Sequence, residues 1–457
     1  MSIAPTHRAL EAGAGAGTTG RLTAQLDLLT PSESQLSPRL TDLVVDALGV
    51  AVAGRGQPVS VAAASIVGSS RTLWDRAWLH GVQMHALDFD DTHEASLCHT
   101  AVALLPGLLA AALERSLPAT RLLQAHLFGV RVVDFLAPLG PRFNEMGLHS
   151  TGLVGTLAAA AASSWLLDGD PGVSAAAMEF AALTASGLGA AFGTDAKPIQ
   201  AARTTEAGLR AALLAGAGVG PPHGAALGPR GLVALWLGEE VIDTLPWETM
   251  APEAVSQVAL KPYPSCFLTH STIDAILWIR DQLGIRDVAD VALVEVVAHP
   301  VAIALADKTA LRTATDAKFS LRYCAREALL RGVPVVGSFA DHVWREVMAD
   351  REGWSRWVDR VEVRADRDLP RVGARVVLRT VDGRTCAREV MAPHGSAADP
   401  LTATEVDDKF RANCAGAMSD AQVEAALAGV RGLAGVADLG DLTVFCELLP
   451  QVEQPTP

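Results

Sequence analysis

The sequence predicts a mainly α-helical fold, in which a large all-helical domain is completed by C-terminal helices and carries a smaller α+β lid domain. Three observations support this prediction. The 457 residues are 50% hydrophobic but only 5% aromatic, a composition that suits closely packed helices. Apolar residues recur at helical spacing from Leu22 to about Gly238. After Pro262, short runs rich in Val alternate with Arg and Thr, as expected for strands.

Six segments of the first half show helical periodicity and are bounded by Pro or Gly. They are residues 40–52, 101–116, 119–137, 151–166, 173–187 and 205–217. In the second half we expect a helix at 271–283, strands at 291–297, 357–363, 374–381 and 387–391, and helical structure from 403 to 427. The last two strands flank Asp382-Gly383, a dipeptide typical of a hairpin turn.

The domain boundaries follow from these changes of pattern. Residues 1–20 are rich in Gly, Ala and Thr and are expected to be disordered. Residues 21–258 together with 403–450 form the predicted helical domain, and residues 259–402 form the predicted α+β domain.

Composition also disfavours several classes of protein. The formal net charge of −14 argues against a nucleic-acid or anionic-membrane partner. Six scattered cysteines without a Cys-x-x-Cys pair disfavour a structural zinc site and a disulfide framework. No apolar run reaches membrane-spanning length without Gly or a polar residue, and the N-terminus does not resemble a signal peptide. These features lead us to expect a cytoplasmic protein.

One short stretch is rich in ionisable residues. The fifteen positions 85–99 contain four acids and three histidines, between two apolar segments that are expected to be buried. If buried together, Asp88, Asp90 and Asp91 would repel one another, so the fold must supply donors or cations or keep one of them protonated. Such groups are often part of functional sites. His93 is expected to be a loop residue open to solvent.

Three further polar segments precede predicted helices. Each places a cationic or proton-carrying side chain next to a helix N-terminus, where free N–H groups favour anions. The side chains are His149, Lys197, Lys261 and, near the start of the third helix, His270. The sequence therefore predicts a pocket for a small polyanion.

Taken in order, these motifs resemble those of the MmgE/PrpD family, which includes 2-methylcitrate dehydratase, cis-aconitate decarboxylase and iminodisuccinate epimerase. The resemblance spans about residues 25 to 445. It implies a homodimer with a site between the two domains and no metal or organic cofactor. The matching segments are His85-Ala-Leu-Asp-Phe-Asp-Asp-Thr92, Gly147-Leu-His-Ser-Thr-Gly152, Ala196-Lys-Pro198, Lys261-Pro-Tyr-Pro-Ser-Cys266, Lys318-Phe-Ser-Leu-Arg-Tyr323 and Asp408-Lys-Phe410.

The resemblance also implies a function and a set of site residues. It implies a cofactor-independent lyase, a dehydratase or decarboxylase, that acts on a small di- or tricarboxylic acid through proton transfer and an enolate-like carbanion. An epimerase or isomerase of a small dicarboxylate is the alternative. The implied catalytic residues are His149, His99, Lys197, Tyr323 and Asp88, and the implied substrate-binding residues are Thr92 and Lys261, to which His270 is added from its place at a helix start.

The sequence departs from the family pattern at three places. His99 is followed by Thr100 rather than by proline, which leaves the direction of the His99 side chain open. Gln200 stands where the family often has histidine. Arg203 is an added cation that could bind a further substrate carboxylate or could pair with Glu206.

Two other enzyme classes share part of the acidic motif. The run from Asp88 to Thr92 matches the Asp-x-Asp-x-Thr of phosphatases that use an Asp nucleophile and Mg²⁺, but that motif should follow a strand, and residues 77–87 have a helical pattern. Terpene cyclases have similar acids but many aromatic residues. A non-catalytic binding protein is a third alternative, and the retained lysines and histidines argue against it.

Overall fold

A computed structural model describes residues 17–70 and 72–436, and it confirms the mainly α-helical fold class. The first part of the described chain is helical, with one antiparallel strand pair, β1 (Thr92–His93) with β2 (Val258–Ala259). Its helices are α1 (Thr18–Leu29), α2 (Pro38–Gly54), α3 (Pro58–Val67), α4 (Leu73–His85), α5 (Thr100–Glu114), α6 (Ala119–Phe135), α7 (Leu139–Glu145), α8 (Thr156–Leu167), α9 (Pro171–Ala182), α10 (Ala196–Gly216) and α11 (Leu232–Leu237).

The six segments expected to be helical all coincide with helices. A π-helical turn at Thr151–Gly155 leads directly into α8. The helix expected at 173–187 ends earlier, at Ala182, and the one expected at 205–217 begins earlier, at Ala196. The disorder expected for residues 1–20 falls mainly on residues 1–16, outside the described chain, whereas Thr18 already begins α1.

Small residues let the central helices approach closely. A Cβ atom added to Gly208 of α10 would lie 2.5 Å from the Cβ of Ala159 in α8, and one added to Gly81 of α4 would lie 2.9 Å from Ala202 of α10. The large core contains many Ala and Leu side chains and few aromatic ones. The small side chains that led us to expect closely packed helices therefore lie at these helix contacts.

The second part of the chain packs helices against a four-stranded mixed sheet around its own core. The strand order is β4-β3-β5-β6, with β3 parallel to β4 and antiparallel to β5. The elements are α12 (His270–Leu283), β3 (Val291–Ala298), α13 (Pro300–Ala306), α14 (Ala314–Ala317), α15 (Leu321–Arg331), α16 (Asp341–Ala349), α17 (Arg351–Arg360), β4 (Val361–Ala365), β5 (Ala374–Thr380) and β6 (Thr385–Val390).

The prediction of a strand at 357–363 is wrong for residues 357–360, which are helical. Trp357 lies in α17, and β4 starts only at Val361. The Trp357 indole is fully buried in the second core, and its N–H donates to the Arg322 carbonyl (2.8 Å). Tertiary packing of this aromatic side chain therefore outweighs its preference for strands.

The chain then returns to the helical part with α18 (Ala403–Cys414) and α19 (Asp420–Arg431). Phe410 of α18 packs against Gly49 of α2, where an added Cβ would lie 3.0 Å from the Phe410 ring. The single helical stretch expected from 403 to 427 is broken at Gly416, which has a φ of +83°. Residues 437–450 of the predicted helical domain lie outside the described residues.

No single helix within residues 17–70 and 72–436 is both long enough and apolar enough to cross a membrane. Two sharply bent helix pairs, α2 with α3 and α6 with α7, meet those length and composition criteria only when each pair is taken together.

Candidate active site

A cavity of about 310 Å³ lies where the helical part meets the α+β part. Its polar lining comes mainly from the helical part, and much of its apolar lining comes from the α+β part. The polar lining residues are Asp88, Thr92, Glu94, His99, Asn144, His149, Lys197, Lys261, Cys266 and Arg371. The apolar ones are Leu97, Phe192, Phe267, Leu268, Val301, Leu305, Phe319, Pro370 and Val372.

Local structure brings distant motifs to this cavity. The pairing of β1 with β2 places Thr92 beside Ala259, two residues before Lys261. Lys197 lies in the first turn of α10. His99 is the N-cap residue of α5, and its backbone N–H donates to the Thr151 hydroxyl (3.1 Å) in the π-helical turn after His149.

Asp88 is the ionic centre of the site. Its Oδ1 accepts hydrogen bonds from Lys197 Nζ (2.6 Å) and Lys261 Nζ (3.2 Å), and all three side chains are buried. Burial alone would raise the pKa of the Asp88 carboxyl, but the charges of the two lysines hold it well below its usual range. Asp88 is therefore a carboxylate, and it keeps both ammonium groups at the cavity wall.

His99 carries its proton on Nδ1. That nitrogen lies 2.7 Å from the Asp91 carbonyl oxygen, which can only accept, so Nδ1 is the donor and Nε2 carries the lone pair. Nε2 lies 3.3 Å from Lys197 Nζ. Burial, together with the charge of Lys197, lowers the pKa of His99 well below its usual range. His99 is thus a neutral acceptor for the lysine ammonium group.

His149 has the opposite tautomer, and Gln200 sets it. The Gln200 amide is oriented by the backbone of Leu188, because its Oε1 accepts from the Leu188 N–H (2.8 Å) and its Nε2 donates to the Leu188 carbonyl (3.2 Å). Nε2 also donates to His149 Nδ1 (2.8 Å), so the imidazole proton lies on His149 Nε2. Burial, reinforced by Lys197, lowers the pKa of His149 well below its usual range.

The other two aspartates have different partners. Asp90 accepts from His85 Nδ1 (2.8 Å), and the His85 ring packs edge-on against His99 at 4.5 Å between centroids. Asp91 accepts from the Ala101 N–H (2.9 Å) at the start of α5. Burial and the neighbouring Asp90 raise the pKa of Asp91 to about 7. The cluster therefore uses cations, donors and partial protonation to hold its acids, as the sequence predicted.

Six of the predicted site residues line the cavity together. They are Asp88, Thr92, His99, His149, Lys197 and Lys261. His99 is one of them, although the proline that usually follows it in the family is absent.

The other three predicted site residues, Tyr323, His270 and Arg203, are not among the residues that line the cavity. Tyr323 is fully buried in the second core, where its hydroxyl donates to the Ser338 carbonyl (3.2 Å). His270 is buried behind Phe267, and its Nε2 is 3.3 Å from the Ser265 carbonyl.

Arg203 does not line the cavity and does not pair with Glu206. It is exposed on α10 in a separate surface groove, and Glu206 pairs with Arg210 (3.0 Å) instead. His93 also differs from expectation, since it is fully buried and its Nε2 lies 3.2 Å from Asp134.

Sequence reasoning missed several residues at the site. Glu94 and Asn144 lie close in sequence to recognised motifs and Cys266 is the last residue of one, but no pattern separated them from their neighbours. Arg371 comes from the loop between β4 and β5 and carries no local signal. It lines the cavity and pairs with the exposed Glu145 (3.3 Å) of α7.

One group of side chains has a composition suited to a metal ion. Ligand atoms of His85, Asp88, Asp90 and His99 all lie within 4.8 Å of one another, and the four residues are buried. However, the ammonium groups of Lys197 and Lys261 already contact Asp88. Two cations beside a ligand atom oppose a divalent ion electrostatically, so the donor set fits an anionic substrate better than a metal.

The chain is similar to several known proteins. The chain is 28% identical to human cis-aconitate decarboxylase over 398 residues, covering 82% of this chain and 78% of the human protein. It is 26% identical to the mouse cis-aconitate decarboxylase over 459 residues (89% and 88%). It is 27% identical to the cis-aconitate decarboxylase-like protein oryM of Aspergillus oryzae over 487 residues (93% and 96%). Residues 28–244 match the MmgE/PrpD N-terminal domain and residues 263–433 the C-terminal domain, so the chain belongs to the MmgE/PrpD family.

Proposed function

We propose that this protein is a lyase that removes carbon dioxide or water from a small di- or tricarboxylic acid through an enolate-like carbanion. The observation that carries the proposal is the contact of Lys197 and Lys261 with Asp88, next to two neutral histidines of opposite tautomer. The names of the three relatives favour decarboxylation.

The two lysines bind and stabilise the substrate's negative charge. One substrate carboxylate faces Lys197 and Lys261. Each ammonium group has two contacts among the described residues, which leaves one N–H to donate. When the bond to a leaving carboxylate breaks, its electron pair is delocalised towards the retained carboxylate, where the lysines stabilise the growing charge. Because Asp88 holds both ammonium groups in place beforehand, little reorganisation is needed during the reaction.

The histidines handle the proton. Decarboxylation consumes one proton, which the Lys197–His99 pair delivers to the carbanion carbon and recovers from solvent. Within the described residues His149 Nε2–H has no hydrogen-bond partner, and His149 lines the cavity. It donates a hydrogen bond to the developing charge, as a neutral imidazole can. In dehydration, His99 Nε2 would accept the α-proton, and His149 Nε2–H would face the departing hydroxyl.

The reaction is tested in deuterium oxide. Purified protein is incubated with a panel of citrate-, aconitate- and aspartate-related acids and followed by NMR. Loss of carbon dioxide with one deuteron incorporated identifies a decarboxylase, and loss of water identifies a dehydratase. Deuterium uptake without a new constitutional product would instead indicate an epimerase. No change with any acid contradicts the proposal.

The lysines provide the sharper variants. Lys197→Ala and Lys261→Ala should each lower kcat/KM by about a hundredfold or more, since removing one donor to a developing anion in a dry site costs about 3 kcal/mol. Arg203→Ala is the matched control, because it removes a cation from the same helix as Lys197 but outside the cavity. A hundredfold loss of kcat/KM in Arg203→Ala would mean that the substrate binds in the groove around Arg203 and not in the cavity.

We further propose that turnover needs no metal ion, because cations that the chain itself supplies occupy the Asp88 carboxylate. Excess chelator should leave kcat and KM unchanged. Loss of turnover in chelator that a divalent cation restores would show that the His85, Asp88, Asp90 and His99 group holds an ion after all.

A further inference from the structure

Lysine is rare in this chain, and four of its five lysines contact one loop. The chain has five lysines among its 37 Lys and Arg residues. The loop comprises residues 86–91, between the end of α4 and β1, and it carries Asp88. Two of the lysines contact the Asp88 carboxylate. Two more, Lys318 and Lys409, lie in family motifs to which the proposed chemistry assigns no role, and neither is among the residues that line the cavity.

Three lysines bind successive backbone carbonyls of this loop. Lys318, Lys261 and Lys409 donate, in that order, to the carbonyl oxygens of residues 87–89, at 2.9, 2.8 and 3.0 Å. Within the part of the chain that the structure describes, no backbone N–H donates to these carbonyls. Because a buried carbonyl without a donor is unfavourable, the three ammonium groups supply the hydrogen bonds that a helix or a sheet would otherwise provide.

The loop needs this support because its conformation is unfavourable. Asp88 has a φ of +52°, a left-handed conformation that costs energy for a residue with a side chain. Its own N–H donates to the His85 carbonyl (3.0 Å), which is a contact with the end of α4 only. Contacts from other parts of the chain must therefore hold the loop in this conformation.

The three lysines reach the loop from separate parts of the chain. Lys261 precedes the α+β part, Lys318 lies within it, and Lys409 lies on α18, which returns to the helical part. The conformation of the loop therefore depends on how these parts pack together.

The two lysines without an assigned role are themselves held in place. The backbone carbonyl of Lys318 accepts from the Cys266 N–H (3.0 Å), and the Lys318 side chain is buried. Lys409 forms a buried ion pair with Asp46 (2.6 Å), and its Nζ lies 3.8 Å from the centroid of the Phe89 ring. Two fixed donors therefore bind the carbonyls immediately before and after Asp88.

We infer that Lys318 and Lys409 are positioning residues that keep the Asp88 carboxylate between Lys197 and Lys261. The inference rests on the proposed function, in which Asp88 holds the two ammonium groups that stabilise the substrate's charge. Removal of either positioning lysine leaves a carbonyl next to Asp88 without its donor. The loop then relaxes, and the Asp88 carboxylate moves away from its cationic partners.

Steady-state kinetics test the effect on catalysis, with an acid that the wild type turns over. Lys318→Met and Lys409→Met should each lower kcat by about tenfold or more, because a displaced Asp88 no longer fixes the donors to the developing charge. KM should change by less than about threefold, since neither lysine is among the residues that line the cavity.

Each Met variant has a control in the same part of the molecule. Arg280→Met removes the donor to the Leu329 carbonyl (2.8 Å) in the α+β part. Arg131→Met removes a donor to the Leu29 carbonyl (3.0 Å) in the helical part. Both controls lose a cation that binds a backbone carbonyl away from Asp88, so both should keep the wild-type kcat and KM.

The position of the carboxylate is measured without turnover. In protein labelled with ¹³C at aspartate Cγ, the resonance of Asp88 is identified by its loss in Asp88→Asn. This resonance should shift in both Met variants and stay in place in both arginine controls, because only the Met variants displace Asp88.

A conservative variant separates position from charge. Glutamine is close to methionine in length, but Lys318→Gln keeps a neutral N–H donor to the carbonyl of residue 87. It should return the Asp88 resonance towards its wild-type position and raise kcat at least about threefold above that of Lys318→Met. If Lys318→Met does not fold, Lys318→Gln and Lys409→Met are compared with the wild type instead.

The outcomes distinguish this inference from the proposed function. An Asp88 resonance that does not shift in the Met variants overturns the positioning role, whatever their kcat. A shifted resonance with wild-type kcat and KM also overturns it, as does a Gln variant no better than a folded Met variant. If the wild type turns over none of the acids, the proposed function fails, and the resonance still decides whether the two lysines position Asp88.

Discussion

The tautomers of two histidines are set by single hydrogen-bond partners, and this decides what each histidine can do. The Asp91 carbonyl leaves the lone pair of His99 on Nε2, whereas the Gln200 amide leaves the proton of His149 on Nε2. Gln200 is three residues after Lys197, about 60° away around the helix, so it projects to the same side of α10. Gln200, which the sequence marked only as a departure from the family, thus sets the tautomer of His149.

Gln200→Glu should lower kcat by about tenfold to a hundredfold with little change in KM. A carboxylate can only accept, so it would draw the proton of His149 to Nδ1 and leave a lone pair on the nitrogen that should donate. Steady-state kinetics and ¹⁵N shifts of His149 measure both effects. Gln124→Glu makes the same change on α6, away from the cavity, and should be silent. An unaltered tautomer with reduced kcat would contradict this explanation.

Asp91 should make the stability depend on pH in a definite direction. Its pKa is about 7 in the folded chain, because of burial and Asp90, against about 3.9 when unfolded. The folded chain therefore binds more protons between these values. The contribution of Asp91 to the free energy of unfolding is fully present below about pH 4 and is lost as the pH rises to 7.

Asp91→Asn should accordingly gain stability relative to the wild type, by on the order of a few kcal/mol, as the pH rises from 4 to 7. Urea unfolding at several pH values gives this difference. Asp359→Asn, at an exposed position, should keep the wild-type slope. If both variants show the same slope, Asp91 is ionised throughout this range.

At the scale of single residues, local motifs indicated which side chains meet at the cavity, but they did not indicate the direction in which a side chain projects. Asp88, His99, His149 and Lys197 were found because ionisable residues stand out against an apolar sequence. Arg203 does not line the cavity, and its position on the helix accounts for this. Six residues after Lys197, it projects about 120° away around α10, towards the surface.

At the scale of helices, glycine allows the close packing that positions Lys197. Helix α10 carries Lys197 and meets α8 where Gly208 faces Ala159. A Cβ at Gly208 would lie 2.5 Å from one Ala159 atom and 2.7 Å from the adjoining backbone, so α10 would have to move. The position of the lysine therefore depends on a residue without a side chain.

Gly208→Ala should destabilise the protein by about 1–3 kcal/mol, because overpacking forces the two backbones apart. Gly216→Ala lies in the same helix and meets nothing within 4 Å, so it should be neutral or should stabilise by about 0.5–1 kcal/mol. Thermal and urea unfolding of the pair isolate the helix contact from helix propensity. If Gly208→Ala stabilised the protein as Gly216→Ala is expected to do, helix propensity rather than packing would determine the stability effect at residue 208.

Element prediction shows the same division between local and long-range information. The helices of the first half follow from apolar periodicity bounded by Pro and Gly, and β3, β5 and β6 follow from alternating Val-rich runs. The residues around Trp357 are ambiguous because Trp and Val fit a strand and a buried helix face equally well. Only the second core, which encloses Trp357 as part of α17, resolves the ambiguity.

At the scale of the whole molecule, the site exists only when distant parts of the chain meet. Asp88 belongs to the helical part, and Lys261 precedes the α+β part. The apolar lining residues Val301 and Leu305, both on α13, lie some two hundred residues further along the chain than Asp88. The family motifs indicated which residues meet, but not that an apolar face of α13 and the β4–β5 loop would complete the cavity. Those contacts depend on tertiary packing, which no local pattern encodes.

This assembly predicts that a bound acid protects both parts of the molecule at once. Binding to the folded state alone stabilises it by about 2.7 kcal/mol at a ligand concentration of one hundred times Kd. In the proposed binding mode the acid contacts residues 88–99 on one side and α13 on the other, so opening either side requires its release. Amide hydrogen exchange should therefore slow, by up to about a hundredfold, in residues 87–101 and in residues 300–306.

The exchange experiment uses the wild type with and without a saturating product acid, and Lys261→Ala at the same acid concentration. Helices α11 and α19, which do not line the cavity, serve as internal references and should exchange at unchanged rates. The variant should lose protection in both segments together, because Lys261 is one of the two cations that bind the acid in the proposed mode and it contacts Asp88. Protection confined to residues 87–101 would mean that the acid binds the helical part alone. In that case Val301 and Leu305 of α13 would not contribute to binding.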